Sequence, residues 1–239
     1  MSGAQIFENI RIICGRISHA AIRAGRKPED IKLIAVTKTI SIQQIKEAID
    51  AGIRIFGESK VQEAQKKITS DELRAMNNGI EWHLIGHLQK NKAKTAVELF
   101  EMIHSVDSVE LAEIADKHAE KAGKIQKILI QVKHSYEIGK YGILKDNLFE
   151  LVTKISGLKN LSIKGLMTIP PFFENPENTR PYFNELRALR DKAEIIGFNL
   201  PELSMGMTND FEVAIEEGAT MVRIGTAIFG ERQYFTKEA

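Results

Sequence analysis

With a single cysteine among 239 residues, Cys14, the chain can form no internal disulfide. The expectation is a reducing, cytoplasmic setting. Because Cys14 falls on the apolar side of an expected N-terminal helix, it reads as a small core residue. Charge of one sign is lacking as well: 33 basic residues against 32 acidic ones leave +1, which speaks against nucleic acid or an acidic membrane face as a partner. Long hydrophobic runs are missing too. Nothing approaches the ~18 continuous apolar residues of a membrane span, and charges enter within the first dozen positions, so neither a span nor a signal peptide is read here. Proline is scarce, and four of the six lie in one stretch, TIPPFFENPENTRP (168–181), inside the pattern described next rather than in a linker. No low-complexity segment or domain boundary stands out, so residues 1–239 are expected to form one domain.

What is present is apolar content, 43%, enough to fill the core of one large α/β domain. Short β-branched or apolar runs alternate with segments of helical period. Eight runs read as strands: 31–37, 53–57, 81–86, 101–106, 127–132, 162–167, 201–205 and 220–225. Between them, Ile42, Ile45, Ala48 and Ile49 share a face behind Ser41 and Gln44, which have capping-box spacing. Leu111, Ile114, Ala115 and Ala122 do so after Asp107, and Phe183, Leu186, Leu189, Ala193 and Ile196 do so again. An additional amphipathic helix, with Ile6, Ile10, Ile13 and Ile17 on one stripe, precedes the first strand. Eight βα units in about 240 residues predict a single (β/α)8 TIM barrel with an extra N-terminal helix. An open doubly wound sheet is the runner-up.

In such a barrel chemistry sits on the loops after the strands. Lys38 closes the run IKLIAVTKT. An ammonium held among apolar side chains is poorly hydrated, which favours the free amine that attacks aldehydes; a lysine reaching out to water is the plainer alternative. Gly206 with Thr208, and Gly225 with Thr226, sit where helices start after strands 7 and 8, a common place for a phosphate. Tight turns and N-capping hydroxyls explain the same residues. An amine and a phosphate cradle at one mouth suit pyridoxal 5'-phosphate (PLP). Arg223, at the end of strand 8, is placed to hold the phosphate or the pyridine nitrogen, or else to pair structurally with Glu58 or Asp210. His83 and His87 are four apart, but their apolar flanks indicate a strand and no metal is expected. His83 either lines the cofactor ring or is a satisfied core histidine.

The motifs IAVTKT, FGESKVQEA, WHLIGHLQKNK, HSVDS, GLMTIPPF, LSMGMTNDFEVAI and VRIGTAIFGER, in this order, resemble the PLP-binding homeostasis proteins (the YggS or PROSC family) over most of the chain. The resemblance implies a single barrel similar to the N-terminal domain of alanine racemase, with PLP as a Schiff base on Lys38. It places Ser204, Gly206, Thr208, Gly225 and Thr226 around the phosphate and Arg223 beside the pyridine nitrogen. Ser59, His83 and Met167 complete the expected cofactor-binding set. Ser59 and Lys133 stand where the family usually has asparagine. The expected role is PLP homeostasis without substrate turnover, PLP being passed to or buffered for apo PLP enzymes by a monomer. The alternative is an amino-acid racemase or decarboxylase; against it, the chain ends at Ala239, after the last βα unit, with no room for the second domain that carries a racemase's other base.

Overall fold

A computed structural model describes residues 3–76, 79–134 and 141–231. The elements run α1 (Gly3–Arg23), β1 (Lys32–Val36), α2 (Ile42–Asp50), β2 (Ile55–Glu58), α3 (Val61–Ile68), α4 (Asp71–Arg74), β3 (Glu81–Leu84), α5 (Ala93–Leu99), β4 (Met102–Val106) and α6 (Val109–Lys121). They continue with β5 (Gln126–Lys133), β6 (Ile143–Leu144), α7 (Leu148–Ser156), β7 (Leu161–Met167), α8 (Arg180–Ile195), β8 (Glu202–Ser204), α9 (Phe211–Glu216), β9 (Met221–Ile224) and α10 (Thr226–Phe229). Apart from the two-residue β6, which extends the end of β5, the strands pair in parallel as β1-β2-β3-β4-β5-β7-β8-β9, and β9 returns to β1. The ring is closed and is a (β/α)8 barrel.

Two-residue alternation divides its side chains between two cores. Ile34, Met102, Leu129, Met167 and Met221 fill the inside of the barrel, and a larger set lies between strands and helices. The expected capping box is present at α2, with Ser41 and Gln44 exchanging bonds. The helix expected after Asp107 is capped one residue later, by Ser108, whose hydroxyl accepts from the Leu111 N–H.

Helix α1 lays Ile6, Ile10, Ile13 and Ile17 against α2, α9 and α10. Cys14 departs from its expected place: it is exposed. One residue beyond Ile13 is about 100° further round the helix, enough to leave the apolar stripe.

On β7, where the register with β5 shifts, a Cβ on Gly165 would lie 1.8 Å from the Glu202 carbonyl oxygen of the neighbouring strand. Gly165→Ala is therefore expected to lower stability by about 1–3 kcal/mol, the scale of overpacking a rigid core. A shift in urea midpoint at constant slope measures it; an unchanged midpoint would mean that β7 and β8 separate freely.

Candidate functional site at the barrel mouth

Lys38 directly follows β1. Thr37 turns outward, where its hydroxyl donates to Glu58 Oε1 at 2.7 Å, so alternation leaves the half-buried Lys38 on the inner side. Among the described residues, Thr39 alone of the non-glycines has a positive φ, 66°. Holding a β-branched residue there costs about 1–3 kcal/mol and persists only where the surroundings enforce it.

The enforcement comes from α3. Glu63 Oε1 accepts the Thr39 N–H at 2.6 Å, and Lys67 Nζ donates to the Thr37 carbonyl (2.6 Å), Glu58 Oε1 (2.7 Å) and Glu63 Oε1 (2.7 Å). The residues on both sides of Lys38 are thus gripped by one helix. Burial pushes the fully covered Glu58 carboxyl up, against the pull of Lys67. Burial also acts to raise Glu63, but bonds from Lys67 and the Thr39 N–H bring it below the usual carboxylate range.

Beneath the mouth lies Arg223, 3% exposed. It donates to Ser204 Oγ at 2.6 Å and to the Thr168 carbonyl at 2.9 Å. Among the described residues no carboxylate forms an ion pair with it. Burial lowers its pKa to about 10, and Asp210 offsets this only through space. Glu58, one of the two partners weighed for Arg223, lies outside the barrel with Lys67 instead. From Ser204 the polar contacts continue inward: Ser204 Oγ to His104 Nδ1 (3.0 Å), His104 Nε2 to His83 Nδ1 (3.0 Å), His83 Nε2 to Glu81 Oε2 (3.4 Å). Beside them, the Thr168 hydroxyl donates to the Val132 carbonyl and meets His134 Nε2, both at 2.9 Å, while His134 Nδ1 contacts Glu185 at 2.6 Å.

The loops after β8 and β9 supply the rim. Gly206 has φ +89°, and a Cβ on it would lie 2.6 Å from that of Ala214, so only glycine brings this turn against α9. Gly225 packs on Val36 of the neighbouring β1, which sets the Gly225–Thr226 turn next to Lys38. Thr226 opens α10, whose N-terminus has no side-chain cap; the Ile228 and Phe229 N–H groups bond to the Gly225 carbonyl, while those of Thr226 and Ala227 have no partner within the helix. Thr208 is half-buried in the turn before α9. Ser59 lies where the loops after β2 and β3 touch, its carbonyl 2.2 Å from the place of a Gly86 Cβ.

Lys38, Gly206, Thr208, Arg223, Gly225 and Thr226 therefore share one end of the barrel. Three expected contacts shift. The Ser204 hydroxyl meets Arg223 and His104 and so supports the arginine. Met167 is fully buried in the inner core below the mouth. His83 belongs to the interior, 1% exposed, and lines a 330 Å³ cavity at the opposite end of the barrel with Glu81, Lys32, Lys127, Lys164 and Glu202. Of the two readings the core one fits, because the ring faces inward toward the opposite end of the barrel and both its nitrogens have partners, His104 and Glu81. Of the loop HSYEIGKYG expected at the mouth, residues 135–140 lie outside the described residues.

Sequence reading missed His104, Glu63 and Lys67. His104 has the inward parity of Met102, and Lys67 lies three residues beyond the buried Ala64; those spacings were the available signals. Among the described residues no cluster of histidine, cysteine and carboxylate side chains is arranged to hold a metal, and no helix is long and apolar enough to cross a membrane.

This closed parallel barrel, with an inward lysine after its first strand and a glycine-rich rim after its last two, is matched over residues 12–233 by the family model of the alanine racemase N-terminal domain. The pyridoxal phosphate homeostasis protein of Aquifex aeolicus is 45% identical over 228 residues, covering 95% of this chain and 98% of that protein. That of Escherichia coli K12 is 40% identical, covering 97% and 99%. PipY of Synechococcus elongatus, solved with PLP bound, superposes with a TM-score of 0.81 at 37% identity, over 95% of this chain and all of that one. An alanine racemase of Clostridium difficile shares the fold at 15% identity, with a TM-score of 0.72 over 95% of this chain and 58% of its own. The chain belongs to the pyridoxal phosphate homeostasis protein family.

Proposed function

We propose that this protein binds PLP at the C-terminal mouth of its barrel, holds it as a Schiff base on Lys38, and buffers or supplies it inside the cell without turning over amino acids. The observation that carries this reading is Arg223: a guanidinium buried with no ion-pair partner among the described residues, at the same mouth as an inward-facing lysine. An uncompensated buried cation is costly, and an anionic or electron-rich ligand relieves it. When bound, PLP supplies an aldehyde that condenses with the Lys38 amine. Arg223, its plane fixed by Ser204 and the Thr168 carbonyl, keeps N–H groups available to the pyridine nitrogen and, as a strong base, does not give its proton up. Thr226 and Thr208 offer hydroxyls to the phosphate, and the start of α10 offers the N–H groups of Thr226 and Ala227. The names of the relatives, homeostasis proteins rather than enzymes, support the absence of turnover. We read the protein as a monomer, as the closed barrel supports.

The test incubates the PLP-loaded protein with a panel of amino acids while α-proton exchange and product are followed, and separately mixes it with an apo PLP enzyme. Recovery of the second enzyme's activity, with no turnover on the panel, is expected. Turnover at about 1 per second, within the ordinary enzyme range, would make it a racemase or decarboxylase instead. Thr226→Val should weaken PLP binding about tenfold to a hundredfold, the equivalent of one hydrogen bond to a charged group. Equilibrium titration measures this, and unchanged affinity would move the phosphate elsewhere.

A further inference from the structure

We infer that His104 is a positioning residue for Arg223, acting through a one-way hydrogen-bond chain, Arg223 to Ser204 to His104 to His83 to Glu81, that crosses the barrel from the mouth to its opposite end. This rests on the reading of the mouth as the PLP site.

The direction follows from donor and acceptor chemistry at the two ends. Arginine can only donate, so Ser204 Oγ accepts from it. Ser204 is fully buried, and His104 Nδ1 is the one acceptor in reach of its hydroxyl among the described residues. The hydroxyl therefore donates to His104 Nδ1. That nitrogen must be bare and His104 must carry its proton on Nε2, where it donates to His83 Nδ1. His83 in turn carries its proton on Nε2, which points at the Glu81 carboxylate.

The reverse order fails at both ends. With His104 protonated on Nδ1, the Ser204 hydroxyl would have no acceptor in a dry site. His83 would then meet Glu81 with a bare nitrogen, or else place a second positive charge near an arginine that already lacks a counterion. Burial, first, and the Arg223 charge beside it push His104 well below its usual pKa, which keeps it neutral as the chain requires. Glu81 is half-exposed in the cavity at the barrel's other end and is lowered by its bond to His83, so it terminates the chain as a carboxylate.

Among the described residues the Arg223 guanidinium is held at only two points, Ser204 Oγ and the Thr168 carbonyl. Removing His104 frees the Ser204 hydroxyl to turn and loosens one of them.

The protein without PLP gives the first test. Nitrogen-15 spectra should show His104 with Nδ1 bare and Nε2 protonated; Nδ1 protonation would overturn the chain. For the second, His104→Leu, which removes donor and acceptor, should lose about tenfold or more in PLP affinity and change the absorption band of bound PLP, as expected for a buried polar partner left unsatisfied. His104→Gln, which keeps one acceptor and one donor, should fall between it and the unaltered protein. Unchanged affinity and spectrum in His104→Leu would overturn the positioning role. If the unaltered protein took up no PLP, the functional reading would fail while the nitrogen-15 result still decided the chain. If His104→Leu did not fold, His104→Gln and the spectra of the unaltered protein would still decide it.

Discussion

A Lys38→Ala protein is expected to purify colourless and to carry no cofactor that borohydride can fix to the chain. In the unaltered protein, reduction followed by peptide mapping should place the pyridoxyl group on Lys38 alone. The nearest competitor shows why. Lys67 also sits beside the end of β1, but its ammonium is 9% exposed and donates to three acceptors, Thr37 O, Glu58 and Glu63, so no hydrogen remains free and the nitrogen is shielded from an aldehyde. Among the described residues Lys38 makes no such bonds with its amine, and it lies on the side of the rim built by Gly225 and Thr226. Lys38→Arg separates loss of the nucleophile from loss of positive charge: it should retain some PLP by its phosphate yet give no reducible adduct. A label on any other lysine would sink the assignment.

Lys67→Met is expected to be the most destabilising single change at the site, by about 3–5 kcal/mol, because it strands Glu58 as a buried charge without a partner. Glu58 is wholly covered, and its second carboxylate oxygen, Oε2, already lacks a hydrogen-bond partner. Burial already pushes this carboxyl up; without Lys67 it would rise further and take on a proton, which limits the loss. Adding Glu58→Gln to Lys67→Met should recover much of the stability, and the two single variants should combine non-additively. Urea unfolding of the four proteins measures the coupling. A loss in Lys67→Met of about 1 kcal/mol or less, the scale of an exposed pair, would show that Glu58 reaches water. Because Lys67 and Glu63 hold Thr37 and Thr39, a folded Lys67→Met should also form its bond to PLP more slowly, with the left-handed turn after Lys38 no longer gripped.

The barrel was legible because each of its strands is a short apolar run bounded by helical period, and the strand bounds in the structure fall within about two residues of those read. Lys38, Gly206, Gly225 and Arg223 were legible from position alone, since residues at strand ends in a closed parallel barrel share one mouth. What position in the sequence left open was depth. His83, Met167 and Ser204 all point inward, but how far a side chain stands below the mouth depends on barrel stagger, which linear spacing does not encode. Cys14 failed for a smaller reason, one step of helical rotation.

By itself, then, the amino-acid order determined the fold class, the eight βα units and the lysine, arginine and glycine positions of the mouth, because these depend on local periodicity and on steric demands met within a few residues. Tertiary structure alone decided which partners those groups have. The pairing of Glu58 with Lys67, the grip of Glu63 on Thr39 and the line from Arg223 through His104 to Glu81 join residues that are up to 100 positions apart between successive links. Such pairings follow from the register of strands around a closed ring and from the need to satisfy every polar atom once water has been excluded, and both conditions exist only after the barrel has closed.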